Sequence, residues 1–105
     1  MKITAIETIR LPERPNLLLA QIHTDEGLVG LGETSRGAQA VEAQLHELVA
    51  PYLLGKNPLD IARHNRQLMN AYLGFAASSA EVRAASVVDI ALWDIFGQAL
   101  QQPIH

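Results

Sequence analysis

"ASVVDIALWDIFGQAL", residues Ala85–Leu100, is the stretch whose reading decides the fold. From Val82 to Phe96, eleven of fifteen residues are apolar, and two aspartates, Asp89 and Asp94, interrupt the run. An amphipathic surface helix buries one stripe, whereas a helix that is apolar on most sides is a buried one. Val88, Leu92 and Ile95 fall on a different side from Ala85, Trp93 and Phe96. This helix is therefore expected at the centre of the structure, with part of its surface covered by another chain or by a missing part of this one. The two aspartates stand about 140° apart around a helix and cannot chelate one metal from one face. Asp89 is expected to accept hydrogen bonds from nearby backbone or hydroxyl groups, because a buried carboxylate has to be satisfied.

Upstream of the helix the period changes. In Lys2–Leu11 the odd positions Ile3, Ala5, Ile9 and Leu11 alternate with polar residues, Glu7 being the exception, and this predicts a strand with the odd positions inward. The prolines of "LPERPN" (Leu11–Asn16) predict a loop. Leu17–Thr24 and Leu28–Thr34 read as two further strands around the "DEG" turn, so residues 2–11, 17–24 and 28–34 are expected to form an antiparallel meander. Val41, Leu45, Leu48, Val49 and Tyr52 mark one face of a helix over 38–54. A second helix is expected over 58–73, with Asn57 as N-cap, Pro58 in the first turn, and a stripe of Ile61, Ala62, Leu68, Met69, Tyr72 and Leu73. Ser78 with Glu81 fits a capping box for the third helix, 79–101. The fold class is α+β: a three-stranded antiparallel meander followed by a three-helix bundle.

The bulk properties narrow the function classes. The chain has 105 residues, 49% hydrophobic and 18% charged, with a formal net charge of −3. That is one folded domain with a single core. The absence of cysteine excludes disulfides and thiolate zinc sites. No basic run supports a nucleic-acid surface. "MKITAIETIR" lacks the apolar core of a signal peptide, and no segment reaches the roughly 18 apolar residues of a membrane span. A cytoplasmic protein with no nucleic-acid or membrane partner is expected.

Several motifs stop short of chemistry. "GLG" (Gly30–Gly32) meets Ser35 where a dinucleotide fingerprint needs its third glycine, and it lies inside a strand, where close backbone packing is the better reading. "HELVA" (His46–Ala50) has alanine in place of the second histidine of a zinc-protease helix, so His46 and Glu47 read as a solvated helix face. "ETSRG" (Glu33–Gly37) is not a nucleophile elbow. His23, His64 and His105 have no metal-ligand spacing. Two polar loops at sheet ends remain as places to touch a ligand: Pro12–Asn16 with Glu13, Arg14 and Asn16, and Glu33–Gln39 with Thr34, Ser35 and Arg36.

"IHTDEGLVGLGE" (Ile22–Glu33) followed by "AASVVDIALWDIFGQALQQPI" (Ala84–Ile104) resembles the amino-terminal domain of the mandelate racemase and muconate-lactonising branch of the enolase superfamily. "ETSRGAQAVEAQLHELVAPYLLGKNPLDIARH" (Glu33–His64) is closest to sugar-acid dehydratase-like members. The resemblance implies that residues 1–105 are a substrate-capping domain over a (β/α)₈ barrel, which typically needs about 250 residues and is absent here. In that family the barrel carries the Mg²⁺ ligands and the acid/base groups that abstract a proton α to a carboxylate. It implies a Mg²⁺-dependent dehydratase, racemase or cycloisomerase for the full-length protein. The implied partners are its own barrel, a small carboxylate substrate and further copies in a homo-oligomer. No catalytic residue or metal ligand carries over to this chain, because the matching positions lie beyond His105. The 105 residues alone are expected to be inactive and to hold no Mg²⁺. The two cap loops match Pro12–Asn16 and Thr34–Gln39. Arg14, Asn16, Thr34, Ser35 and Arg36 are thereby the substrate-binding candidates, the guanidiniums suiting a polyhydroxy carboxylate. The alternative from another class is a stand-alone binding or oligomerisation module that uses the apolar helix as its interface.

Overall fold

In a computed structural model, residues 1–70 and 80–101 are described. Three strands, β1 (Ile3–Leu11), β2 (Arg14–Thr24) and β3 (Val29–Thr34), form an antiparallel meander in the order β1-β2-β3. A helical rod follows, made of α1 (Ala38–Gln44), a π turn (Leu45–Val49) and α2 (Ala50–Leu53). Helices α3 (Ile61–Asn70) and α4 (Ala80–Gln101) complete the described chain. The α+β meander-then-helices architecture is the expected one. The end of the second helix and the Ser78 cap lie outside the described residues.

Helix α4 is the centre. Ala84, Ala85, Val87, Val88, Ala91, Leu92 and Ile95 are buried, and they cover an arc of about 160° at 100° per residue. That arc packs on the sheet and on α1 and α3, and on the sheet Gly30 and Gly32 permit unusually close approach. A Cβ at Gly30 would collide with the Ala91 carbonyl and stand 2.7 Å from Ile95 Cγ1; one at Gly32 would collide with the Val87 carbonyl. The two aspartates are structural in different ways. Asp94 Oδ2 accepts a hydrogen bond from the Leu31 N–H at 2.8 Å, and Gln98, one turn on, donates to the Val29 carbonyl at 2.7 Å. Leu31 and Val29 lie on the free edge of β3, so α4 supplies side chains where a fourth strand would supply backbone. Asp89 accepts from Asn65 Nδ2 at 3.2 Å, a side-chain amide rather than the backbone or hydroxyl partner expected.

The expected phase of β1 is inverted over most of its length. A register shift between Ile3 and Ala5 turns Ile6, Thr8 and Arg10 toward the helices, opposite Ile22, Ala20 and Leu18. Ile3 is buried, but Ile9 is 38% exposed on the outer face. Glu7 is then no exception: it faces outward and pairs with His23. The expected loop at Leu11–Asn16 shortens to a two-residue turn, Pro12–Glu13, and β2 starts at Arg14. Pro15 is tolerated inside the strand because the pairing jumps from Arg10↔Leu18 to Leu11↔Arg14, which leaves residues 15–17 out of the ladder.

The helices also depart from the pattern at their prolines. Pro51 has no N–H to give the carbonyl four residues back, and its ring crowds that carbonyl. The preceding turn widens to π, with the Ala50 N–H bonded to Leu45 O, and α-helical bonding resumes at Leu54 N→Ala50 O, 3.0 Å. Leu48 is consequently 50% exposed although it falls on the expected stripe. Pro58 lies buried in a turn before α3 rather than in its first turn, and Asn57 Oδ1 accepts from the Leu59 N–H, an Asx turn instead of a helix cap. Of the α3 stripe, Ile61 and Leu68 are buried, while Ala62 and Met69 are exposed.

His64, 2% exposed, pins α3 to α2. A carbonyl can only accept, so Nε2–H donates to Asn57 O at 2.8 Å and, in the neutral ring, Nδ1 accepts from the Tyr52 hydroxyl at 2.9 Å. Burial pushes the Tyr52 phenol above its usual pKa of 10.0; Arg63 opposes this and Asp60 adds to it. A raised phenol pKa favours the neutral form in the folded state. Its stabilisation is present below the unfolded value and lost as pH rises through the folded one. Denaturant midpoints should therefore fall as pH climbs past about 10, and the gap between wild type and Tyr52→Phe should narrow over the same range. A second expectation concerns the sheet–helix contact. Gly30→Ala should cost about 2 kcal/mol or more in urea denaturation, because a methyl group there meets backbone that cannot move aside.

Candidate functional site

The site candidates gather at one end of the sheet. Thr34, the last residue of β3, pairs with Leu18, which also pairs with Arg10, so the β1–β2 hairpin runs on past the end of β3 through Leu11, the Pro12–Glu13 turn and the bulged residues 15–17. The chain leaves β3 through Ser35 and Arg36. It turns into α1 at Gly37, whose φ of 58° and ψ of 41° lie in the left-handed region. Hairpin tip and β3–α1 loop thus form two lips on the same edge.

Two clefts open between them. Arg14, Thr34 and Ser35 line one of about 370 Å³, together with Leu17, Glu33 and Ile90 of α4. Asn16 lines the other, of about 450 Å³, with Arg10, Gly37 and Gln39. The structure therefore brings Arg14, Thr34 and Ser35 together, sets Asn16 apart on the second cleft, and leaves Arg36 lining neither.

The charges around the clefts are not equally free. Thr8 Oγ1 donates to Glu42 Oε2 at 2.7 Å, and Arg10 Nη1 stands 3.5 Å from Glu42 Oε1. Because the Thr8 hydroxyl proton is committed to Glu42, His46 Nε2, 2.8 Å away, is the donor to Thr8 Oγ1. His46 is exposed, as expected for a solvated helix face, but it is also tied to β1. Arg10 is held by this network. Arg14 and Arg36 are exposed, and neither side chain makes a hydrogen bond or ion pair among the described residues. Arg83 of α4 adds a guanidinium that position in the sequence did not suggest. It is half-buried, and its Nη1 lies 3.7 Å from where a Cβ on Gly37 would be. Only the packing of α4 beneath the loop brings it there.

These residues do not fit a divalent metal. Glu33 is the one carboxylate lining either cleft. Among the described residues no three His, Asp or Glu side chains are grouped to hold an ion. Among them, too, no helix is long and apolar enough to cross a membrane.

An antiparallel meander backed by a central helix, with polar lips at one sheet end, is the architecture of an enolase-type N-terminal domain. Residues 4–105 match the family model of the mandelate racemase / muconate lactonizing enzyme N-terminal domain, and the chain belongs to that family. It is 42% identical to D-galactonate dehydratase of Verminephrobacter eiseniae over 109 aligned residues, which cover 100% of this chain and 27% of that enzyme. The crystal structure of an enolase of the mandelate racemase subgroup from Agrobacterium tumefaciens superposes with a TM-score of 0.92 at 55% identity, over 98% of this chain and 28% of that one. A racemase from Streptomyces coelicolor A3(2), solved with bound magnesium, matches with a TM-score of 0.77 at 25% identity, over 93% of this chain and 32% of that one. The chain thus spans little more than a quarter of the length of the curated relative it matches.

Arg14 has no partner to lose, so Arg14→Ala should move the thermal midpoint by no more than an exposed substitution does, within about 0.5 kcal/mol. A larger loss in calorimetry would mean that the hairpin tip supports the fold rather than a ligand.

Proposed function

We propose that this chain is the substrate-capping domain of a Mg²⁺-dependent enzyme that abstracts the proton α to a carboxylate, foremost an acid-sugar dehydratase, with a racemase or cycloisomerase as the related outcome. The observation that carries the reading is the cleft formed by Arg14, Thr34 and Ser35, with its unpaired exposed guanidinium. The 42% identity to a D-galactonate dehydratase supports it. In this reading Arg14 and Arg36 grip oxygens of the sugar acid, the guanidinium fork binding two at once. Thr34, Ser35 and Asn16 supply hydroxyl and amide partners for the sugar hydroxyls. The two lips close over a barrel mouth and exclude water from it. The metal and the acid/base groups come from outside these residues. The magnesium seen in the S. coelicolor racemase supports the choice of ion. The metabolic character of the relatives supports a cytoplasmic location, and their substrates support a small carboxylate as ligand. A homo-oligomeric enzyme is part of the proposal.

The test is turnover by the whole protein on a panel of aldonates and aldarates with Mg²⁺, read as the appearance of 2-keto-3-deoxy acid. Arg14→Ala should reduce kcat/KM by about ten- to a hundredfold, the weight of one charged hydrogen bond. Absence of any dehydration or epimerisation across the panel would overturn the reading.

A further inference from the structure

We infer that the acid taken by the whole enzyme carries a second carboxylate, at the end remote from the reacting one, and that Arg83 is the residue that selects for it. The inference deepens the reading above and rests on it. It starts from the seating of α4 on β3. A Cβ at Gly30 would meet Ala91 and a Cβ at Gly32 would meet Val87, so a step of two along the strand matches a step of four along the helix. The two rises agree, about 7 Å for two strand residues and about 6 Å for four helix residues. One further step sets Arg83 against the end of β3 at Thr34. Where the first two steps lay an alanine and a valine on the sheet, the third brings a guanidinium to the point at which the chain leaves it. That point divides the two clefts, because Ser35 lines the one with Arg14 and Gly37 the one with Asn16. Arg83 Nη1 lies 3.7 Å from where a Cβ on Gly37 would stand.

Arg83 is half-buried, and its side chain makes no hydrogen bond or ion pair among the described residues. A cation partly withdrawn from water without a counter-charge is destabilising. The carboxylates at this end of the sheet do not answer it. Glu33 alternates with Gly32 and Thr34 along β3, so it stands on the outer face of the sheet, opposite α4. Glu42 is engaged by Thr8 and Arg10. Glu13 is exposed in the hairpin turn. Arg36, beside Gly37, adds a second unpaired guanidinium to the same loop.

The reacting carboxylate is not the group that answers Arg83. On the reading above it is held, with the metal and the acid/base groups, by residues outside this chain, so the lips meet the other end of the substrate. A terminal hydroxymethyl at that end offers one neutral oxygen. A carboxylate offers two charged oxygens at the spacing of the guanidinium fork. An aldarate therefore suits this loop better than an aldonate does.

The experiment compares, in the whole protein with Mg²⁺, an aldonate and the aldarate of the same configuration, which differ only in a terminal hydroxymethyl or carboxylate. The ratio of kcat/KM should favour the aldarate by about tenfold or more, the weight of one charged hydrogen bond. Arg83→Met keeps the apolar stem and removes the fork, and it should lower that ratio by about tenfold, with Arg83→Lys restoring part of it. Arg83→Gln takes the place of Arg83→Met if that variant does not fold. A stem that only packs beneath the loop would affect both acids together and leave the ratio intact, which overturns the inference. So does a wild-type ratio of one or less. Isothermal titration with the same two acids separates binding from turnover. An inactive protein that binds the aldarate about tenfold more tightly than the aldonate, and loses the difference in Arg83→Met, defeats the dehydration reading alone. An enzyme that turns over both acids equally defeats this inference alone. Inorganic phosphate is the control for a free anion: phosphate bound through Arg83 without displacing the aldarate overturns the inference as well.

Discussion

The close seating of α4 on β3 is the constraint on which the other features depend. With Gly30 and Gly32 beneath it, the helix backbone comes near enough for Val87 and Ala91 to lie against the strand rather than over it. The small residue Ala91 fits the same geometry, since a larger side chain there would lift the helix away. At that distance Asp94 and Gln98 reach the free edge of β3 and satisfy an N–H and a carbonyl that would otherwise invite another strand. The same seating brings Arg83 under Gly37 and Ile90 to the wall of the Arg14 cleft. The packing of one helix thus fixes the core, the edge and one wall of the candidate site.

Much of this was legible in the residues. The glycine pair inside a strand pattern pointed to close backbone packing, and the apolar run of α4 pointed to a central helix. The "DEG" turn appears where expected, with Gly27 at a φ of 82°. What was not legible came from single irregularities that period counting cannot see. One shift between Ile3 and Ala5 reverses the facing of β1, so alternation alone identifies the strand but points to the wrong inner side. The apolar period runs straight through Pro51, yet its missing donor displaces one turn and carries Leu48 off the stripe. Prolines 12 and 15 suggested a loop, but a bulge can hold a proline inside a strand.

The site divides along similar lines. Both polar loops were visible in sequence because proline, glycine and charged residues cluster there. Their pairing across the sheet end was not, because it depends on the register Leu18↔Thr34 and on the hairpin overhang. Arg83 could not be found by local pattern, since α4 brings it to Gly37 from far along the chain. The Thr8–Glu42–His46 network is equally nonlocal, and it separates the tied Arg10 from the free Arg14.

That separation bears on which positions of the domain are free to vary. The side chains lining the Arg14 cleft from the loops are exposed or half-buried and lie outside the buried core. Exposed substitutions away from caps and buried networks usually shift stability little. The lips can therefore change composition while the glycine contact, the edge clamp and the His64 pin stay as they are. Ile90 is the exception among the lining residues, because it stands on α4, the helix that holds the core and the β3 edge, and so meets the cleft from the scaffold rather than from the lips.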